Sequence, residues 1–207
     1  AIEYYEKSLH GLRQIKDQIG LADTLTKLST LYIANGNYND TQLAQEAALK
    51  IYQQLKNTEG TASTLNGLAT TSFKQGNFDK AIKMYKSALQ SYESIQDMEG
   101  QGTVHFNLAS LYLTMGEFMP AIENYEKSMT IRENTGETSS LAEIYHNLGI
   151  IYMKISKPAK ALDCHIKCYE LQQKFSKVQE QASSLNCMGE LCIKLTRFED
   201  AKEYYSR

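Results

Sequence analysis

Hydrophobic and small residues recur in this chain first at helical spacing and then, one level up, at a fixed long period. Gly102, His105, Leu108, Ala109 and Tyr112 follow one another at the three- and four-residue steps of a helix face. Gly116 closes that run as a C-cap candidate. Phe118, Ala121, Ile122, Tyr125, Ser128 and Met129 mark a second helix. A link of about four residues between them is short enough to force antiparallel neighbours. Pro120 fits the first turn of the second helix, where a missing N–H costs little.

The pair is then repeated. Gly36-Asn37-Tyr38, Gly76-Asn77-Phe78, Gly116-Glu117-Phe118, Ser156-Lys157-Pro158 and Thr196-Arg197-Phe198 each begin 40 residues after the last (76−36, 116−76, 156−116, 196−156). A period of this size marks a repeat array. Small residues hold fixed columns: Ala22, Ala62, Gly102, Ala142 and Ala182; Ser29, Ala69, Ala109, Gly149 and Gly189; Ala81, Ala121, Ala161 and Ala201. They permit the close end of the usual 8–10 Å helix separation. Leu28, Leu68, Leu108, Leu148 and Met188 fill the facing gaps, with Tyr85 and Tyr125 on the second helices. One helix pair cannot offset its own ordering entropy, about 1.5 kcal/mol per residue, so neighbours must share a core.

The expected architecture is all-α: a right-handed α-solenoid of about eleven helices, read as one array over 1–207. Its units are a half repeat at 1–19, repeats at 20–59, 60–99, 100–139 and 140–179, and an incomplete one at 180–207. Ala1-Ile2-Glu3-Tyr4-Tyr5 aligns with Ala81 to Tyr85, inside a helix, so the sequence reads as part of a longer protein. Polar residues break the pattern at Thr41, Gln45, Thr71 and Ser72, where looser packing or a partner contact is expected.

Composition fits helices, with two prolines and no tryptophan. A formal charge of −2 lacks the basic footprint of a nucleic-acid binder. No apolar run approaches the roughly 18 residues that cross a bilayer, so no membrane insertion is expected. Cys164, Cys168, Cys187 and Cys192 fall on two helices rather than in a ribbon or knuckle. Core packing explains their positions better than zinc or a disulfide, and reduced thiols suit a cytoplasmic protein. His105 and His165 take aromatic packing slots, and His10 sits on an outer helix. No nucleophile, base and orienting group come together, so no enzyme activity, cofactor or metal is expected.

Asn147-Leu148-Gly149-Ile150-Ile151-Tyr152 and Phe73 to Ile82 resemble the tetratricopeptide repeat, whose pattern runs aromatic, Leu-Gly, Tyr, then Ala and an aromatic. The resemblance covers the whole chain. The period of forty exceeds the usual 34 and is similar to the lengthened repeats of LGN/Pins polarity scaffolds and kinesin light chains. In such arrays the first helix of each pair lines a concave groove. Carried onto this chain, the groove set is Asn66, Thr70, Phe73, Lys74, Phe106, Ser110 and Leu113, then His146, Met153, Lys154, Asn186, Glu190, Ile193 and Lys194.

The expected function is a scaffold or adaptor that holds an extended or helical segment of a partner protein in that groove. Lys74, Lys154 and Lys194 share one column and point to an acidic ligand, although Glu190 stands one turn from Lys194 and could pair with it. The Lys/Asn pair of a chaperone-tail clamp is missing from every repeat. Two alternatives stand beside this. One is an assembly module packing through tyrosine-rich outer faces (Tyr4, Tyr52, Tyr92, Tyr169, Tyr204) in a larger ciliary or transport complex. The other is a regulatory module whose activity lies outside this sequence.

Overall fold

The computed structural model describes residues 2–138, 140–174 and 178–207; Ala1, used above to align the first helix, lies outside them. Among the described residues there are eleven helices and no strand: α1 (Ile2–Gln14), α2 (Gln18–Ala34), α3 (Tyr38–Gln54), α4 (Thr58–Lys74), α5 (Phe78–Ser94), α6 (Met98–Met115), α7 (Phe118–Thr135), α8 (Leu141–Lys154), α9 (Pro158–Lys174), α10 (Val178–Lys194) and α11 (Phe198–Ser206). The even-numbered helices are the first members of the expected pairs.

One backbone device ends helix after helix. Gly36, Gly76 and Gly116 are left-handed, as the glycine column implies, with φ of 72°, 79° and 78°. Ser156 and Thr196 take the same conformation one and two periods on, at φ 57° and 59°. The return turns use it too, at Lys16, Lys56 and Gln96. From Lys16 to Ser156 the left-handed residue therefore recurs every twenty positions, half the sequence period. At Lys56 the chain forms a Schellman pair: Lys56 N–H donates to Gln53 O at 3.1 Å and Asn57 N–H to Tyr52 O at 2.9 Å. Gly76 and Asn77 do the same with Phe73 and Ser72, both at 2.9 Å.

The residue that finishes one motif starts the next helix. Asp17, Asn57 and Asp97 accept from the N–H groups of Gly20, Gly60 and Gly100 at 2.8–2.9 Å, which satisfies a donor of the new first turn. At 136–140 the device changes. Gly136 is left-handed with φ 77°; Ser140 is the N-cap of α8 without a side-chain capping bond, and Glu137 accepts from Ser140 N–H at 3.3 Å. Arg132 bridges Glu137 and Ser140 and also donates to Ser128 at 3.2 Å.

The chain divides into two compact units, 1–108 and 109–207. The first has a core of Leu9, Leu21, Ala22, Leu25, Leu28, Ala44, Ala48 and Tyr52. Its polar interruptions are internal. Thr41, Gln45, Thr71 and Ser72 are all buried, and Thr71 Oγ1 donates to Gln45 Oε1 at 2.9 Å. The expectation of a partner contact at these positions is corrected: the amide fills the tyrosine column and finds its own hydroxyl, so the polar group is satisfied away from solvent.

The second unit packs Ala161, Leu162, Leu185, Met188, Leu191, Cys192 and Ala201 into one cluster. Cys164, Cys168 and Cys192 are buried free thiols and Cys187 is half-buried. Ala182 departs from its column. Ala22, Ala62 and Ala142 are buried, whereas Ala182 is exposed. The inward face of α10 begins at Ser184 and Leu185; in its first turn Gln181 donates to the Gln172 carbonyl of α9 at 3.2 Å, and Glu180 lines a cavity. No helix among the described residues is long and apolar enough to cross a membrane.

Candidate functional site

The site residues named above sit on the even-numbered helices, and their surroundings follow from the tyrosine column on the odd ones. In the first unit Tyr85 of α5 is 1% exposed, and its hydroxyl lies 2.9 Å from Thr70 Oγ1. Burial pushes the Tyr85 phenol up to about 12, against the opposing effect of the Thr70 hydrogen bond. Thr70 also donates to the Asn66 carbonyl at 3.0 Å, and Asn66 Oδ1 accepts from Asn107 at 3.0 Å. The Asn66 and Thr70 side chains thus hold the scaffold. Phe73 is half-buried with its ring 6.0 Å from that of Phe78, Phe106 is half-buried, and Lys74 is exposed.

In the second unit Tyr125 repeats the arrangement, fully buried with its hydroxyl 3.0 Å from Ser110 Oγ and a second bond to Asn147. Leu113 is half-buried. One period on, the column reads His165, with Ile150 in the place of Ser110 and Cys187 in the place of Asn147. His165 is 2% exposed, packed so closely on Gly149 that a Cβ there would stand 2.6 Å from its Nε2. Its Nδ1 is buried with no hydrogen-bond partner. Burial, then the neighbouring His146 ring at 5.5 Å, lowers its pKa from 6.5 to about 4, so the imidazole is neutral near pH 7.

Two openings lie in this region, one lined by His146 and one by His165. The first, about 310 Å³, takes in His146 together with Gln172, Glu180 and Ser184. Behind it Ser184 donates to Gln172 at 2.8 Å, and Gln172 donates to Cys168 Sγ at 3.2 Å. The second, about 250 Å³, gathers Met153, Lys154 and Glu190 with Ile150, His165, Cys187 and Leu191. Asn186, Ile193 and Lys194 are exposed on α10 outside it. The Glu190 carboxylate takes its hydrogen bond from Asn186 at 3.2 Å rather than an ion pair from Lys194. Burial, then Glu190, pushes the Cys187 thiol up, which disfavours the thiolate.

The sequence reading missed Asn107, Asn147, Ile150, His165 and Cys187 as parts of this surface. The signal was the column Gly67, Asn107, Asn147, Cys187, one residue beyond Asn66, read together with the hydroxyl column Thr70, Ser110, Ile150. Among the described residues no cluster of three or more His, Cys, Asp or Glu side chains is placed to hold a metal. The outer-face tyrosines also divide: Tyr4 is 78% exposed, whereas Tyr52 and Tyr92 are buried, so those two present no surface for assembly.

The family model described as tetratricopeptide repeat matches residues 20–94, 60–134, 100–174 and 140–207, and the chain belongs to that family. No curated protein matches the chain. Its fold is similar to that of BtubC (BKLC) from P. vanneervenii, at 19% identity and TM-score 0.86 over 100% of this chain and 87% of that one. The kinesin light chain nearly identical TPR-like repeats of Podosopora anserina align at 17% identity and TM-score 0.72, over 89% and 91%. A Rap protein complexed with Competence and Sporulation Factor aligns at 16% identity and TM-score 0.71, over 100% and 68%.

Proposed function

We propose that this chain is a protein-interaction module that binds a segment of another protein on the exposed faces of its even-numbered helices. The observation that carries the reading is the 250 Å³ opening, where three groove-column residues, Met153, Lys154 and Glu190, surround an apolar floor. Aliphatic anchors beside polar groups are what a peptide needs, the first for affinity and the second for main-chain hydrogen bonds. Lys74, Lys154 and Lys194 stand exposed, which favours segments with acidic flanks. The family, and the Rap neighbour complexed with Competence and Sporulation Factor, support a binding role.

The test is selection of random 15-residue peptides from a display library, followed by binding to a triple variant, Met153→Ala, Lys154→Glu and Lys194→Glu. Selected peptides should lose at least roughly tenfold in affinity while the variant keeps its helical circular dichroism. Each exposed lysine contributes under about 1 kcal/mol, so the three changes are combined. Unchanged binding to a folded variant overturns the reading.

One observation favours assembly as a second reading. Ile15, Ile19, Leu55, Ile95 and Met98 are 40–71% exposed at the return turns of the first unit, a set of aliphatic side chains of the kind that association covers. Sedimentation across a range of concentrations tests it, since this reading expects association and simple peptide binding does not.

A further inference from the structure

At the Tyr85 and Tyr125 levels a buried phenol ends against a hydroxyl, Thr70 or Ser110. At the His165 level three changes coincide. The imidazole is shorter than a phenol, Ile150 replaces the hydroxyl, and Cys187 replaces the amide of Asn147. Beside the shorter ring lies the 250 Å³ opening, floored by Ile150, Met153 and Leu191. This is smaller than the roughly 300–1,000 Å³ of pockets for drug-sized ligands, and so suits a single side chain rather than a cofactor.

We propose that this opening is a socket for one aliphatic side chain, of leucine or methionine type, from the segment that the array binds. The inference rests on the peptide-binding reading and adds the identity of its anchor. Three features select the occupant. The floor is hydrocarbon and thioether. The polar partners that would satisfy a phenol hydroxyl have been replaced by Ile150 and Cys187, so a tyrosine would leave its hydroxyl desolvated without a full set of partners. The rim carries one charge of each sign, Lys154 and Glu190, with Glu190 already accepting from Asn186. A charged side chain therefore gains little there and loses its hydration. The buried His165 ring acts as a wall, since its Nδ1 is sealed from solvent.

The experiment uses the chain as it stands, labelled with ¹³C at isoleucine and methionine methyl groups. N-acetyl-leucinamide, N-acetyl-tyrosinamide and N-acetyl-aspartamide are titrated separately while the Met153 and Ile150 methyl resonances are followed. The leucine probe should half-saturate the shifts at a concentration at least roughly tenfold below either other probe, the scale on which apolar pockets discriminate by size and polarity. Two plugs should remove the response at Met153. His165→Tyr with Ile150→Ser restores the pair seen at Tyr125 and Ser110, and Cys187→Leu fills the space from the α10 side.

Equal responses to the three probes overturn the proposal, and that comparison needs no variant to fold. A leucine response that survives in both folded plugs also overturns it. If selected peptides bind the wild type while the leucine probe moves nothing, the socket is wrong and peptide binding stands. If the probe binds but no peptide is ever selected, the socket stands and the peptide reading fails.

Discussion

Tyr92 packs against Gly100: a Cβ built on that glycine would come within 2.4 Å of the ring. Tyr52 covers Gly60 in the same way one period earlier. Both rings are buried, so neither can swing aside cheaply. These glycines sit in the first turn of a helix, where alanine is intrinsically better by about 1 kcal/mol. The clash reverses that sign. Gly100→Ala should destabilise by about 1–3 kcal/mol, the usual cost of overpacking. Gly11 is the control, because a Cβ there meets nothing within 4 Å. Gly11→Ala, inside α1, should stabilise by up to about 1 kcal/mol. Urea unfolding of both variants checks the opposite signs.

The left-handed turn residues make a second pair of opposite predictions. Gln96 adopts φ 57° and Gly76 φ 79°, in turns that do the same work. A residue with a Cβ gives up roughly 1–2 kcal/mol in this conformation, and glycine does not. Gln96→Gly should therefore stabilise, by a net of about 0.5–1 kcal/mol after the extra entropy of the unfolded chain is deducted. Gly76→Ala should destabilise by about 1–2 kcal/mol. Thermal unfolding of the two variants, read at one scan rate, decides both.

These turns show what the sequence could and could not reveal. The period of forty was legible because Gly36, Gly76 and Gly116 mark every second turn with the residue that favours positive φ. The intervening turns at Lys16, Lys56 and Gln96 carried no such mark, because there the turn hydrogen bonds hold a left-handed Lys or Gln in spite of its conformational cost. The core columns were equally plain, since Ala62, Ala109 and Ala161 are fully buried where their spacing put them. Ala182 departs because α10 turns Ser184 and Leu185 inward and leaves Ala182 exposed. His165 was read as packing, which is right. Its lost hydroxyl partner appears only when the column of Ile150 is set beside it.

Thr71 and Gln45 supply a third prediction. Their 2.9 Å hydrogen bond is buried, and Thr71 also donates to the Gly67 carbonyl at 3.1 Å. Thr71→Val removes the hydroxyl and leaves the Gln45 amide oxygen without it, at a cost of about 1–3 kcal/mol. Replacing both partners should cost less than the sum of the single changes. Gln45→Tyr with Thr71→Leu rebuilds the tyrosine column as it stands at Tyr85, with Leu111 in the Thr71 slot. A double-mutant cycle in urea should therefore show coupling of at least about 1 kcal/mol. Strict additivity would mean that the bond contributes nothing.

His165 makes stability depend on pH. Its pKa falls from 6.5 to about 4 in the folded chain, chiefly because burial disfavours the imidazolium and secondarily because His146 is close. Between these values the unfolded chain binds the proton and the folded chain does not, so stability rises with pH through the window. The contribution is complete above about pH 6.5 and is lost as pH falls towards 4. Its full size is on the order of 3 kcal/mol, at about 1.4 kcal/mol for each tenfold change in proton affinity. Urea midpoints measured at pH 7 and pH 5 should fall together with pH in the wild type. His165→Phe keeps a ring against Gly149 but cannot titrate. Its midpoint should fall distinctly less over the same interval, and an identical fall in both proteins would place the pH sensitivity elsewhere.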